Sequence, residues 1–295
     1  MATSGTALID APKFREILAQ FQVLLSENEQ LLNDLNVYPV PDSDTGSNSL
    51  QTLKAGLAIS SNQSADLGEI ALAVAAGAAK AAMGNSGVIL AQYLQGIAQG
   101  LSQTANSGQC SPDEWQVALN LAATVARESV LTPAEGTMLT VADAAAKISA
   151  QPDFAVYCEQ VQAAVRSAVI ETQNLLPELK AAEVIDAGAL ALSFFHDSVA
   201  FSFGIEVSPL QVKPRKQAAT NYSGPKFELM FAVACSESVK SEIETKISSF
   251  GESISISGIA PDFNFHIHTD DPNLVLESCE GDFEITNIRI SELGS

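Results

Sequence analysis

Positive charge is what this chain most conspicuously lacks. Fifteen Lys and Arg residues stand against 35 Asp and Glu among 295 residues, a formal net charge of −20. Counterion-release binding to nucleic acid needs clustered Lys and Arg on a scale absent here, so nucleic acid is excluded as a partner. An anionic membrane surface would repel such a chain. Histidine is scarce, at three residues. The four cysteines (Cys110, Cys158, Cys235, Cys279) are widely spaced and form no CxxC pair. With no signal-peptide pattern, the expected setting is a reducing cytoplasm. No apolar run reaches ~18 residues, so no transmembrane segment is expected. No Ser/His/Asp or Cys/His arrangement suggests covalent catalysis. An acidic chain still binds phosphate ligands when metal ions and backbone N–H groups do the neutralising.

A hydrophobic content of 46% suits two domains. Residues 1–205 read as all helical. The segment from Lys13 to Leu35 places Phe14, Ile17, Leu18, Phe21, Leu24, Leu25, Leu31 and Leu32 at helical spacing. Ordinary helix lengths give roughly seven or eight helices there. The Ala-rich stretch LGEIALAVAAGAAKAAM lets helices approach closely. Residues 206–225 hold three prolines and no long apolar run, which reads as a linker. Residues 226–295 then read as a small α+β domain in the order strand, helix, strand, strand, helix, strand.

The stretch NVYPVPDSDTGSNS, from Asn36 to Ser49, stands out. Tyr38 and Val40 precede prolines and are biased towards extended backbone. Asp42 and Asp44 follow, one residue apart around Ser43. Thr45, Ser47 and Asn48 are N-cap types opening the next helix, with Gly46 among them. Two carboxylates beside a helix N-terminus suit a hard divalent cation, and free N–H groups there suit phosphate. Three more turns open helices in the same way: Gly84-Asn85-Ser86-Gly87, Gly136-Thr137, and Asp186 with Gly188. Each alone is an ordinary helix cap. Together they suggest a ring of helix N-termini around an anionic ligand. His266 and His268 share a strand face, but two ligands do not complete a zinc site. A hydrogen-bonded pair at an interface is the expectation. His196 and Trp115 read as core residues, and SQTANSGQCSPDE as a loop.

These motifs, with PAEGTMLTV, VIDAGALAL and FHIHTDDPNLVLESCEGDFEITNIRIS, resemble the nucleotide-binding subunit of bacterial fatty acid kinase in this order. Its kinase domain is related to the L-type domain of dihydroxyacetone kinases. The resemblance implies an antiparallel helical barrel binding nucleotide at one end, followed by an α+β middle domain. It also implies ATP and Mg²⁺ as cofactors, with Asp42 and Asp44 as catalytic and metal-binding residues and Asn36 in the same shell. Thr45, Gly46, Asn48, Gly84, Asn85, Ser86, Gly87, Gly136, Thr137, Asp186 and Gly188 fall at nucleotide-binding positions. The implied reaction phosphorylates the carboxylate of a fatty acid presented by a separate fatty-acid-binding partner protein. The alternatives are a nucleotide-binding scaffold without turnover and a dihydroxyacetone-kinase-like subunit. Met83 stands where the family usually has Arg, and Ser43 where it usually has Gly. Relatives carry a Cys near the first middle-domain strand that joins two histidines in a zinc site. The matching slot here reads as Lys226, with Cys235 at that strand's far end. The family's further partner-docking domain has no counterpart within these residues. The middle domain is expected to form a homodimer, because two helices cover only one face of its sheet.

Overall fold

The computed structural model describes residues 8–60, 66–104, 108–212, 222–279, 281 and 283–293. A two-residue strand, β1 (Ile9–Asp10), leads into helices α1 (Ala11–Glu27), α2 (Glu29–Leu35), α3 (Thr45–Ser60), α4 (Leu67–Ala81) and α5 (Gly84–Thr104). Strand β2 (Gln109–Cys110) pairs antiparallel with β1. Helices α6 (Pro112–Glu128), α7 (Met138–Ala146), α8 (Phe154–Leu175), α9 (Pro177–Ala182) and α10 (Ala187–Ser202) complete this half. Ten helices are described where seven or eight were expected. The additions are short pieces of apolar runs that read as continuous. The first run breaks at Asn28, whose N–H closes α1 on the Leu24 carbonyl. Pro177 starts α9 afresh, since proline is tolerated at a helix start and not within one.

The apolar spacing of α1 buries Phe14, Ile17, Leu18, Phe21 and Leu25 on one face. Helix α10 is buried nearly all round and serves as the centre of this domain. Its Phe195 meets the rings of Phe21, Tyr93 and Trp115. His196 is buried beside it, Nε2 3.0 Å from the Tyr93 hydroxyl, and burial pushes its pKa down to about 3. Both His196 and Trp115 are therefore core residues, as expected. The Ser-rich stretch is only partly a loop, because it contains the end of α5, β2 and the Ser111–Glu114 capping box of α6. No described helix is long and apolar enough to cross a membrane.

The second domain follows the expected order: β3 (Phe227–Ala234), α11 (Glu237–Ile247), β4 (Glu252–Ile259), β5 (Asp262–Thr269), α12 (Pro272–Ser278), β6 (Ile285–Glu292). The sheet order is β4-β5-β3-β6, and every neighbouring pair is antiparallel. Leu229, Phe231, Val233, Phe263, Phe265 and Ile267 form its apolar face, packed with Ile243, Ile247 and Val275 from α11 and α12. Of the expected linker, residues 213–221 lie outside the described residues, and the flanking segments carry no helix or strand.

The opposite sheet face corrects one expectation. It is polar rather than apolar, and it seats on the helical domain. Asn264 Nδ2 and Ser257 Oγ donate to the Ala79 carbonyl at 3.1 and 3.3 Å. Ser255 Oγ donates to Asn85 Oδ1 at 3.0 Å. The edge of β4 gains a short partner from the helical domain, since Leu131 N–H donates to Ile254 O and Ile256 N–H to Ser129 O. The uncovered apolar surface that would have called for a second copy is therefore absent from this face.

Helices α3 and α4 approach as closely as the small residues allow. A Cβ on Gly77 would lie 2.7 Å from the Ala55 carbonyl, and one on Gly56 2.5 Å from that of Val74. Gly77→Leu should cost about 1–3 kcal/mol through forced helix separation, read as a lower melting temperature. Ala76→Leu, on the exposed side of α4, should change it little. Equal melting temperatures for the two variants would contradict this packing.

Candidate functional site

Helices α3, α5, α7 and α10 all begin at one cavity. Its wall includes Thr45, the first residue of α3, and Gly84, Asn85 and Ser86 in the first turn of α5. It also includes Thr137 and Met138 at the start of α7, and Asp186 with Gly188 at the start of α10. The expected ring of helix N-termini is thus present. Asn36, Asp42 and Asp44 complete the polar side, and Tyr38, Val40, Ile89, Val130, Ala134 and Leu139 give an apolar side. The second domain contributes Glu228, Ser253 and His268.

The loop before α3 is held from behind by amides. Asn36 Nδ2 donates to Asp42 Oδ1 and to the Val40 carbonyl, while Asn36 Oδ1 accepts from the Thr45 hydroxyl at 2.8 Å. Asn48 Nδ2 donates to Asp44 Oδ2 at 2.7 Å. The first-turn N–H groups of Gly46 and Ser47 are taken by Asn33 Oδ1 of α2, at 2.8 and 3.2 Å. Capping of α3 by a neighbouring helix frees the Thr45 hydroxyl to hold Asn36. Ser43 sits between the aspartates at φ 60°, the left-handed region where glycine is at ease. A serine there is strained by about 1–3 kcal/mol.

Four residues expected at the ligand lie one layer back. Gly46 packs on α2, where a Cβ would meet the backbone of Glu29. Asn48 positions Asp44. Gly87 faces Thr52, and Gly136 (φ 86°) packs against Leu175 and Leu176. Gly84, at φ 59°, does border the cavity, and a Cβ there would come 2.6 Å from Asn48 Nδ2. Asp186 caps α10 by accepting from Ala189 N–H at 2.7 Å.

Glu228 was missed from sequence. Strand register sets Glu228 opposite His268 and Met230 opposite His266, so Glu228 shares a face with both histidines. The third polar group of this cluster is therefore Glu228, not Lys226 or Cys235, and its donor atoms lie within 4.8 Å of those of the histidines. Only the pairing partner across β3 and β5 could have revealed it.

Electrostatics explain what the cavity demands. Burial, then the charge of Asp44, push the Asp42 carboxyl up to about 8. Burial also raises Asp44, against the opposing hydrogen bonds from Asp42 and Asn48. Asp42 is itself exposed to solvent, which weakens this push. Burial raises Asp186 to about 7. Carboxyls this reluctant to ionise are stabilised in their charged form by a nearby cation, and paired carboxylate oxygens suit a hard divalent one.

A raised carboxyl favours the protonated fold. The contribution of Asp42 is fully present below its ordinary value of 3.8 and is lost as pH rises through about 8. The melting temperature of the ligand-free chain should therefore fall between pH 5.5 and 8.5 more steeply than that of Asp42→Asn. Calorimetry in two buffers of different ionisation enthalpy should also show proton release when Mg²⁺ binds at pH 7. Parallel pH profiles for the two proteins would contradict this assignment.

Known proteins resemble this chain in both of its halves. The DAK2 domain family matches residues 39–200, more than half of the chain. The FakA-like middle domain of fatty acid kinase matches residues 224–295. Protein YloV of Bacillus subtilis is 27% identical over 97% of this chain and 56% of its own length. Uncharacterized protein SSP1546 of Staphylococcus saprophyticus is 28% identical over 97% of this chain and 55% of its own. The chain thus spans about half the length of the curated relatives it matches. Among solved structures, the dihydroxyacetone kinase of C. freundii in complex with AMP-PNP and Mg²⁺ shares the fold, with TM-score 0.51 and 22% identity over 68% of this chain and 36% of that one. The chain belongs to the DAK2 domain family, and joins that domain to a middle domain of the FakA-like fatty acid kinase type.

Proposed function

We propose that this chain is the nucleotide-binding part of an ATP- and Mg²⁺-dependent phosphotransferase of the fatty acid kinase type. The γ-phosphoryl group passes to the carboxylate of a fatty acid held by a separate binding protein. One observation carries the reading: four helix N-termini and two carboxylates meet at one cavity. Helix N-termini favour anions and carboxylates favour hard cations, and a metal polyphosphate presents both. Bound Mg²⁺ supplies neutralisation of the phosphate charge. Asp42 and Asp44 offer its oxygen ligands. Asn36 orients Asp42 from behind, its own amide oxygen held by Thr45. The first turns of α5 and α10 offer backbone to phosphate oxygens, at Gly84 and Gly188 without side chains in the way.

A carboxylate acceptor carries no proton to remove, so positioning and charge neutralisation suffice without a general base. The C. freundii enzyme, in complex with AMP-PNP and Mg²⁺, is a precedent for this ligand pair on this fold. The middle-domain match favours a fatty acid over a hydroxyketone as acceptor. The four free cysteines accord with a reducing cytoplasm. A homodimer finds its support in the exposed edge strand β6, where Ile288 and Ile290 are about half exposed (48% and 49%). A nucleotide-binding scaffold is the second reading, motivated by Met83, half-buried directly before Gly84 in place of the family's usual Arg.

Titration calorimetry with Mg²⁺-ADP should give at least tenfold weaker binding for Asp42→Asn and for Asp44→Asn, about 1.4 kcal/mol each, with circular dichroism unchanged. ATP consumption should appear only when a lipid-loaded binding protein is added. Unaltered affinity in both variants would overturn the site. Nucleotide-raised melting temperature without turnover would favour the scaffold.

A further inference from the structure

We propose that Glu228, His266 and His268 hold a divalent metal ion through one carboxylate oxygen and two imidazole nitrogens, in a site open to the same cavity as Asp42 and Asp44. The resemblance implies a thiolate with two histidines at this place. This chain offers no thiolate there. Cys235 lies at the far end of β3, and Cys279 packs in the core on the opposite sheet face. The inference is therefore a carboxylate centre in place of a thiolate centre, and it stands apart from the kinase reading.

Hydrogen-bond chemistry demands a cation here. His266 is fully buried, and its Nδ1 lies 3.0 Å from the backbone carbonyl of Ser253. A carbonyl only accepts, so Nδ1 carries the proton. That leaves a lone pair on Nε2, which lies 2.9 Å from Glu228 Oε1, another acceptor. Two acceptors at this distance repel unless a proton or a metal ion binds both. His268 makes the choice. It is 97% buried and lines the cavity, yet its Nδ1 has no hydrogen-bond partner among the described residues. A second proton on His266 leaves that nitrogen orphaned, whereas a metal ion draws the His268 ring into one coordination sphere with the other two residues. The three donor atoms lie within 4.8 Å of one another, within reach of one ion after small side-chain rotations.

The surroundings fit the same reading. A ligating histidine ordinarily donates its second nitrogen to a carbonyl or carboxylate, which fixes its tautomer, and the Ser253 carbonyl accepts that bond here. The β4 bulge puts Ser253 at φ 54°, a costly conformation for serine, and its carbonyl meets the ring. Three protein ligands leave a coordination position for water or for an anionic oxygen entering the cavity. Imidazole with carboxylate suits borderline ions such as Zn²⁺, Co²⁺ and Mn²⁺, without the preference for soft metals that a thiolate confers.

The test uses the full chain carrying Asp42→Asn and Asp44→Asn, stripped of metal by a chelator, with Co²⁺ as the spectroscopic probe. One equivalent of Co²⁺ should give d–d absorption with no sulfur-to-cobalt charge-transfer band. His268→Ala and Glu228→Ala should each weaken Co²⁺ binding at least tenfold, with circular dichroism unchanged. Glu228→Cys should add the charge-transfer band and tighten Zn²⁺ binding at least tenfold. Inorganic phosphate should shift the d–d bands, since the open position faces the cavity. Absence of stoichiometric Co²⁺ binding, binding unaffected by His268→Ala, or a charge-transfer band in the chain with Glu228 intact would each overturn the assignment. A d–d spectrum indifferent to phosphate would overturn the open position.

Discussion

Mutual repulsion between Asp42 and Asp44 is the constraint on which the rest of the site depends. Two carboxylates in hydrogen-bonding reach of each other, the exposed Asp42 and the half-buried Asp44, repel when both are ionised. The structure answers with amide donors behind them, from Asn36 and Asn48, and with helix N-termini beside them. It does not answer with a protein cation: no Lys or Arg lines the cavity among the described residues. Glu228 adds a third carboxylate to the same wall. Such a cavity is prepared for cations first, and for an anion through them.

The second domain is part of this arrangement rather than a remote appendage. Its polar sheet face lies on α4 and α5, and residues 129–131 pair with its edge through a single bridge at Val130. Ser255 bonds to Asn85 in the very turn that opens α5, so the sheet is joined to a turn that lines the cavity. Helix packing, sheet register and site chemistry are linked through a few polar contacts at this boundary.

Much of this was legible in the sequence, for physical reasons. Helical spacing in α1 reports directly on burial, and the alternation in β4 reports which sheet face each side chain takes, so the helical half and the element order of the second domain could be read. Asp42, Asp44 and the four helix-opening turns were legible because caps and paired acids are local patterns. What stayed hidden was everything set by strand pairing or by helices meeting. Glu228 acquires its role from its register with His268, with a helix and a whole strand of chain between them. Asn33 caps α3 from a separate helix, which no cap pattern at Thr45 could disclose. Gly46, Gly87 and Gly136 read as ligand-facing glycines, but their missing side chains make room for helices and neighbouring side chains. The sheet's second face was expected to be apolar, although Glu228, Asn264, His266 and His268 all lie on it. Alternation along β5 places Asn264, His266 and His268 on one side, and only the register adds Glu228 to them.

The central claim is that a single ligand is met by the helix N-termini of one domain and the sheet wall of the other. Hydrogen exchange of the full chain, with and without Mg²⁺-ADP and followed by mass spectrometry, tests it most directly. The account predicts slowed exchange in peptides covering the starts of α5 and α10, and together with them in the start of β3 and the bulged part of β4. Protection confined to the helical domain, or protection away from these helix starts, would contradict it.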